Sequence, residues 1–388
     1  MRIVILNPYF YPYFGGTEKV LYEVYRRLSS KYEIYALVSA HDGRERLEEI
    51  DGIKVYRLKS KTISLPGAPM GYQFMPDLIN KIKELRGDLY HLNNRYQYTL
   101  SHVKAIKKTG RFMMTIHNAL PKGIDLKTDT AGLIYDLLFG VRMMRSADHL
   151  TAVSEYTLRS TIPMDLWYKS EVIQNGVETS RFKKLDEDKA IEIIKEELNI
   201  DIDPSKKLYI MSNGRLVEQK GHKYLIEAMH ILKKDGGNDR LDLIIVGRGK
   251  LKDKYERLIA KLGLKDSVSI ISRQISEDAL NAIYSISKVY VMPSLYEPSG
   301  MALMEALAVG IPSIASKVGG MPEIMKDDGL YVKPRSSTEI ADAIRKLISS
   351  YDVYLEKAKN ASKRICRYNN WDRIADMYDN AIKKALDI

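Results

Sequence analysis

Between Pro293 and Glu323 the chain reads PSLYEPSGMALMEALAVGIPSIASKVGGMPE, with Glu297 in a loop and Glu305 eight positions later in an apolar segment. The two residues between them that matter most are Ser299 and Gly300, a pair that marks a helix start. Ser299 is suited to cap that helix, and Gly300 lets backbone come close to a ligand. The free N–H groups of Met301 and Ala302 would then face outward at a positive helix end, which suits a phosphate. A carboxylate at each end of such a cradle fits a ligand with hydroxyls on both sides of a diphosphate. A sugar nucleotide is such a ligand.

Upstream, Gly214-Arg215-Leu-Val-Glu-Gln-Lys220-Gly221 sets an Arg and a Lys five residues apart between glycines. Arg grips two phosphate oxygens through its planar fork, and Lys adds a point charge, so together they can bracket a diphosphate, although the pair alone equally fits an exposed Arg and Lys in a turn. Gly15-Gly16, followed by Thr17 as a candidate cap, forms a phosphate-compatible turn after the first strand. The G-x-G-x-x-G fingerprint is absent, which leaves a dinucleotide reading without support. His117 lies just past a strand end in Thr115-Ile-His117-Asn118, and His91 lies in Leu89-Tyr-His91-Leu-Asn93-Asn94. Neither is a metal site by pattern. A lone Cys366 gives no disulfide framework and no Cys-based metal site, and Asp201-Ile-Asp203 falls in linker-like sequence.

Two runs of alternating elements must position these groups. Strand patterns at Ile3–Leu6, Ile34–Val38, Val55–Leu58, Leu89–Leu92, Phe112–Ile116 and His149–Val153 are interleaved with helical patterns at Thr17–Ser30, Met75–Arg86, Ser101–Lys108 and Leu133–Ser146. The second half repeats the scheme. Its strands are Tyr209–Ser212, Leu243–Val246, Val268–Ile271, Val289–Met292 and Ser313–Ala315; its helices are Tyr224–Lys234, Leu251–Leu262, Glu277–Ser285, Gly300–Ala308 and Ser337–Tyr351. Such alternation predicts α/β architecture, with two doubly wound Rossmann-like domains of parallel sheet facing across a deep cleft. The expected domains are residues 1–178 and 179–367, joined by a polar linker from Asn175-Gly176 to Asp188. A tail from about Ile365 to Leu386 has helical spacing in Trp371, Ile374, Met377, Tyr378 and Ile382.

A length of 388 residues suits two domains rather than one core, and 45 % hydrophobic with 29 % charged residues is a soluble, globular composition. No apolar run approaches a membrane span, and the strand-like Arg2–Leu6 leaves no room for a signal peptide, so the expected location is cytoplasmic. The net charge is +11. Residues 1–175 hold about 25 basic against about 18 acidic side chains, gathered around Arg57–Lys61, Lys81–Arg86 and Lys104–Arg111. No zinc-finger spacing or RNP-like aromatic motif accompanies them, so nucleic acid is not the expected partner. A solvated face and weak, peripheral attachment to an anionic membrane are both compatible with them.

The Pro293–Glu323 stretch resembles the donor-binding signature of retaining glycosyltransferases of family 4 (group 1), enzymes of GT-B architecture. Gly214–Gly221 is similar to the G-R-L-x-x-x-K-G motif of the same family. The resemblance implies a metal-independent hexosyltransferase using a UDP- or GDP-sugar, with no cofactor. Arg215 and Lys220 would hold the donor pyrophosphate, Glu297 the sugar hydroxyls and Glu305 the ribose, with Ser299, Gly300, Met301 and Ala302 at the phosphate. It implies that the Gly16 backbone reaches the donor phosphate and that His117 bonds the donor sugar. Gly247, in V-G-R-G, would make room for the nucleotide, while Gln274 and Ile275 pass the base. His91 would bind the acceptor or simply hold loops together, Asn175-Gly176-Val177 would form the interdomain turn, and Gly319–Glu323 would support the Glu305 helix. Retention would follow front-face attack, since no protein nucleophile stands out. The last helix, residues 368–388, would cross back to the first, acceptor-binding domain. The acceptor could be a glycan, a lipid-linked sugar or a small molecule. A GT-B sugar-nucleotide epimerase and a non-catalytic sugar-nucleotide-binding protein share much of this pattern.

Overall fold

A computed structural model describes residues 1–13, 15–65, 68–119, 126–234 and 240–388. The chain forms two compact units, Met1–Gly176 with Trp371–Ile388, and Val177–Asn370.

In the first unit, β1 (Arg2–Leu6), β2 (Glu33–Ala40), β3 (Arg46–Ile50) and β4 (Ile53–Lys59) come first. A separate hairpin follows, β5 (Lys61–Leu65) with β6 (Ala68–Phe74), and then β7 (Leu89–Leu92), β8 (Arg111–Ile116), β9 (His149–Ala152) and β10 (Ser170–Val172). Among the described residues the sheet order is β10-β9-β8-β7-β1-β2-β4-β3, parallel except for β3 on β4. β1, β7 and β9 are almost wholly buried, polar residues of β7 and β9 included, because helices cover both faces of a parallel sheet. The sequence pattern missed β3 and the β5–β6 hairpin. β3 is a mostly exposed edge strand rich in charge, and its period carries no buried face to read. The chain runs from β1 to β2 on one side and returns to β7 on the other. That reversal lies beside β1, and the strand ends there open into the loops of Gly16 and Asn93.

The second unit repeats the logic. Its strands β11 (Leu208–Asn213), β12 (Leu241–Val246), β13 (Val268–Ile271), β14 (Ser287–Met292), β15 (Ser313–Ser316) and β16 (Leu330–Val332) form an all-parallel sheet in the order β13-β12-β11-β14-β15-β16. Here the order reverses between β11 and β14. A topological switch of this kind opens a crevice at the carboxyl ends of the strands, where ligands bind in doubly wound sheets.

Two expected boundaries shift. The polar stretch after Gly176 is not a free linker. Phe182 is fully buried in the second unit's core, Leu185 packs on it, and Asp186 caps the Glu187–Leu198 helix by accepting from Asp188 N at 3.1 Å. The tail is two helices, not one. Tyr351–Tyr368 buries Ala358, Ala361 and Ile365 in the second unit, and the chain breaks at Asn369-Asn370. The Trp371–Leu386 helix then lies against the Gly16–Leu28 helix of the first unit, tied by Arg27 to Asp372 at 2.6 Å and by the Tyr32 hydroxyl to Asp379 at 2.6 Å.

Candidate functional site

The switch between β11 and β14 gathers the second unit's candidate side chains. The loop after β11 carries Arg215 and Lys220, and the loop after β14 carries Glu297. Three contacts zip these loops together. Leu295 N donates to Gln219 O at 2.8 Å, Gln219 Nε2 donates to Tyr296 O at 3.1 Å, and the Lys220 ammonium pairs with the Glu297 carboxylate. Both members of that pair are largely buried, with side chains 16 % and 10 % exposed. Removing either would strand the other's charge out of water. Arg215 instead is exposed, and among the described residues its guanidinium makes no hydrogen bond or ion pair.

Glu297 also touches the Met301–Val309 helix, since its second carboxylate oxygen accepts from Gly300 N at 3.2 Å. Ser299 is not the cap. The N-cap residue is Gly300, at φ 64° and ψ 47°, which has no side chain to cap with. The turn needs a left-handed residue there, and glycine supplies it without steric cost. The N–H groups of Met301 and Ala302 stand in the first turn, where an α-helix offers no internal acceptor.

Glu305, one turn further along, accepts from the Tyr284 hydroxyl at 3.3 Å. Behind it, Asn213 Oδ1 accepts from the Tyr290 hydroxyl at 2.9 Å and lies 3.0 Å from the Tyr284 oxygen, so Asn213 and Glu305 compete for the one Tyr284 proton. Burial first, then the nearby carboxylates, hold both phenols well above their ordinary range. For Tyr290 those carboxylates are Glu305 and Glu297 together. One buried phenol thus lies within electrostatic reach of both glutamates. Asn213, Tyr284 and Tyr290 were not singled out from sequence. Asn213 directly precedes the Gly214-Arg215 motif, but the two tyrosines carry no motif at all.

Gly247 has a reason of its own. A Cβ there would lie 1.8 Å from the carbonyl oxygen of Gly214, so the missing side chain lets the turns after β11 and β12 meet. Gly319 works the same way on the other side. Its Cβ would lie 1.9 Å from Glu297 O, and Gly320 N donates to that oxygen at 3.0 Å. The Gly319–Glu323 turn therefore braces the Glu297 loop as well as the helix. Gln274 is exposed and Ile275 packs partly on the core. Their loop is tied to Glu197 through Arg273 Nη2 to its carbonyl, 2.8 Å, and Ser276 N to its carboxylate, 2.7 Å.

The first unit presents a different set. The helix after β1 starts at Gly16 with Gly15 as its N-cap, so Thr17 is not the cap. Its first turn carries Glu18, whose carboxylate accepts from Asn7 Nδ2 at 3.1 Å. His117, past β8, is 8 % exposed, and its Nε2 lies 3.1 Å from Asn93 Oδ1. Asn93 Nδ2 donates to His91 O at 3.1 Å, which fixes the amide and turns its oxygen toward the imidazole. A carbonyl oxygen needs a donor, so His117 carries its proton on Nε2 and leaves Nδ1 as an acceptor. Burial keeps the ring neutral, lowering its pKa to about 3. Asn93 was quoted in the sequence motif without a role.

His91, expected either to bind the acceptor or to hold loops together, has neither ring nitrogen open to a ligand. It is fully buried, with Tyr25 Oη 2.5 Å from Nδ1 and Thr115 Oγ1 2.6 Å from Nε2, and Tyr378 of the last helix packs beside its ring. Both nitrogens are used in joining helix, sheet and tail. Gly176 has no positive φ, so its lack of a side chain answers to packing rather than to backbone conformation. A Cβ there would sit 2.5 Å from the Trp371 ring. Among the described residues no group of three or more His, Cys, Asp or Glu side chains is arranged to hold a metal ion.

The family description glycosyl transferases group 1 matches residues 193–365, and glycosyltransferase family 4 matches residues 14–181. The chain is 28 % identical over 370 residues to an uncharacterized glycosyltransferase of Methanocaldococcus jannaschii, covering 92 % of this chain and 91 % of that protein. It is 27 % identical over 244 residues to a GDP-mannose-dependent alpha-(1-6)-phosphatidylinositol monomannoside mannosyltransferase of Mycobacterium tuberculosis, over 60 % of this chain and 61 % of the relative. The solved structure of Anabaena HepE in complex with UDP superposes with a TM-score of 0.77 at 18 % identity, over 99 % of this chain and all of that one. At that identity the likeness establishes the architecture, GT-B, and nothing finer.

Proposed function

This chain belongs to the group 1, family 4 glycosyltransferases, which use sugar-nucleotide donors, and from that premise we propose that it moves a hexose from a UDP- or GDP-sugar with retention at the anomeric carbon. The observation that carries this reading is the grouping at the β11/β14 switch. Lys220, Glu297, the first turn of the Met301–Val309 helix and Glu305 belong to one hydrogen-bonded assembly, with exposed Arg215 on the same loop as Lys220.

In this reading the donor diphosphate lies against Arg215, Lys220 and the N–H groups of Met301 and Ala302. The Lys220 ammonium has three donors and gives one to Glu297, so others remain for phosphate. As the bond from anomeric carbon to phosphate breaks, charge grows on the leaving oxygen, and these fixed donors stabilise it. Glu305 accepts from the ribose, and Glu297 accepts from sugar hydroxyls while holding Lys220 in place. His117, neutral, accepts a hydrogen bond from a sugar hydroxyl at Nδ1. The acceptor hydroxyl then attacks the face the diphosphate leaves, passing its proton toward the departing phosphate. The mannosyltransferase relative is named for a phosphatidylinositol mannoside acceptor, and that name, with the basic excess of residues 1–175, supports a lipid-carried acceptor here.

The test is transfer or slow donor hydrolysis with UDP- and GDP-hexoses, the product's anomeric configuration being read by NMR. Arg215→Ala and Lys220→Ala should each lower kcat/KM by roughly 30- to 1,000-fold, as expected for about 2–4 kcal/mol at a leaving group. Wild-type activity should persist in excess EDTA. Near-normal rates in both variants would remove the diphosphate assignment, and loss in EDTA restored by Mn²⁺ would move the charge stabilisation to a metal.

A further inference from the structure

We propose that the outward face of the helical segment from Leu126 to Ser146 docks onto an anionic lipid surface. The helix Leu126–Tyr135 continues through a π-helical turn, Asp136–Gly140, into the helix Val141–Ser146. Its inward face is firmly held. Asp136 pairs with buried Arg95 at 2.9 Å, the Tyr135 hydroxyl donates to Arg95 O at 2.5 Å, and Met143 and Met144 are fully buried. The outward face is apolar where a surface helix is ordinarily polar. Leu133, Ile134, Leu137 and Leu138 are 47, 51, 66 and 50 % exposed.

The same face continues into exposed Arg142, whose Nη1 reaches Leu138 O at 3.3 Å, and Arg145. Arg145 pairs with Asp165 at 2.6 Å, and this joins the face to a short turn where Met164 and Tyr168 are 76 and 84 % exposed. Lys169 closes that turn, donating to Arg145 O at 3.0 Å. Arg142, Arg145 and Lys169 stand against Asp165 and against Asp129, one turn before Leu133, so the apolar patch keeps a net positive border. Aliphatic side chains beside Arg and Lys, with Met and Tyr at the edge, match an acyl boundary under anionic headgroups. A second copy of the chain fits less well. A two-fold contact through this face would set one positive rim against the other, whereas an anionic lipid surface complements it. No helix among the described residues is long and apolar enough to cross a membrane, so the contact would lie on the surface.

The basic clusters that first suggested such contact spend much of their charge within the fold. Arg57 is buried against Glu48 at 2.5 Å, Lys81 pairs with Glu84 at 2.7 Å, and Lys107 and Arg111 share Asp148 at 2.8 and 3.2 Å. Attachment should therefore depend on the apolar face more than on those clusters.

The inference rests on the lipid-carried acceptor proposed above, but its test reads no sugar transfer. The full chain is sedimented with vesicles of phosphatidylcholine alone or with one-third phosphatidylglycerol, at low and high salt. Wild type should pellet with the anionic vesicles, and Leu137→Asp/Leu138→Asp should weaken partitioning about tenfold or more at both salt levels. Arg142→Gln/Arg145→Gln should lose only the salt-sensitive part. Hydrogen exchange on wild type gives a variant-free measure, with added protection at 133–138 on anionic vesicles. UDP and GDP titration of the Asp variant, expected unchanged, keeps this outcome separate from the donor reading. The proposal is overturned if wild type stays in the supernatant, if the Asp variant pellets like wild type, or if wild type is a dimer that the Asp variant converts to monomer.

Discussion

At the scale of single residues, the informative pair is Asn93 and His117. Sequence marks the histidine, but its chemistry is decided by an asparagine 24 positions earlier that leaves one ring nitrogen able only to donate. The Asn93→Asp variant tests this directly. A carboxylate in place of the amide favours the imidazolium, so the His117 pKa should rise from about 3 toward or above the ordinary 6.5. Below about pH 7 the ring then gains a proton on Nδ1 and loses its acceptor. Nitrogen chemical shifts of the ring should show neutral His117, protonated at Nε2, from pH 7 down to about pH 5 in wild type, and imidazolium in the variant. Transfer by the variant should fall steeply as pH drops from 8 to 6 while the wild-type profile stays flat. Identical ring shifts in the two proteins would show that Asn93 does not set the tautomer.

At the scale of elements, the last helix is held by shape as much as by charge. Trp371 is 1 % exposed and its ring covers Gly176, where a Cβ would lie 2.5 Å from Cε3 and 2.6 Å from Cδ2. Gly176→Ala should therefore cost about 1–3 kcal/mol through overpacking, read as a drop of a few degrees in Tm. Combining it with Trp371→Phe should cost less than the sum of the two single changes, because the smaller ring leaves the space the methyl needs. Full additivity would mean that Gly176 and Trp371 do not meet. The apolar strands and amphipathic helices were legible in sequence at this scale because each carries its own period. β3, the β5–β6 hairpin and the Phe182 anchor were not, since a charged edge strand or a single buried aromatic ring has no period to read.

At the scale of the whole molecule, three buried histidines couple stability to pH. Desolvation lowers His91 and His117 to about 3 and His222 to about 4. Each folded-state pKa lies below the unfolded value near 6.5, so unfolding takes up protons in acid. Their stabilising contribution is present in full above about pH 6.5 and is lost as pH falls toward 4. With three protons taken up, the slope reaches about 4 kcal/mol per pH unit between those limits. Denaturant unfolding at pH 7.5, 6 and 5 should show falling midpoints, and His222→Phe, which cannot titrate, should flatten the decline. Constant midpoints across that range would contradict the neutral, buried state of these rings.

The sequence alone determined the class of this protein. Alternating strand and helix periods mark a doubly wound α/β chain, and glycine, Arg, Lys and Glu at fixed offsets in loops carry the resemblance to the family that the comparisons bear out. Those signals are local, so they survive without coordinates. Only the tertiary structure decided the partnerships. Lys220 meets Glu297 across 77 residues because β11 and β14 are neighbours at the reversal of the sheet. His91 is a buried joint between helix and sheet, and Gly300 displaces Ser299 as the N-cap of the Met301–Val309 helix. Contact across such distances depends on strand order and side-chain burial, which the spacing of residues along the chain does not encode.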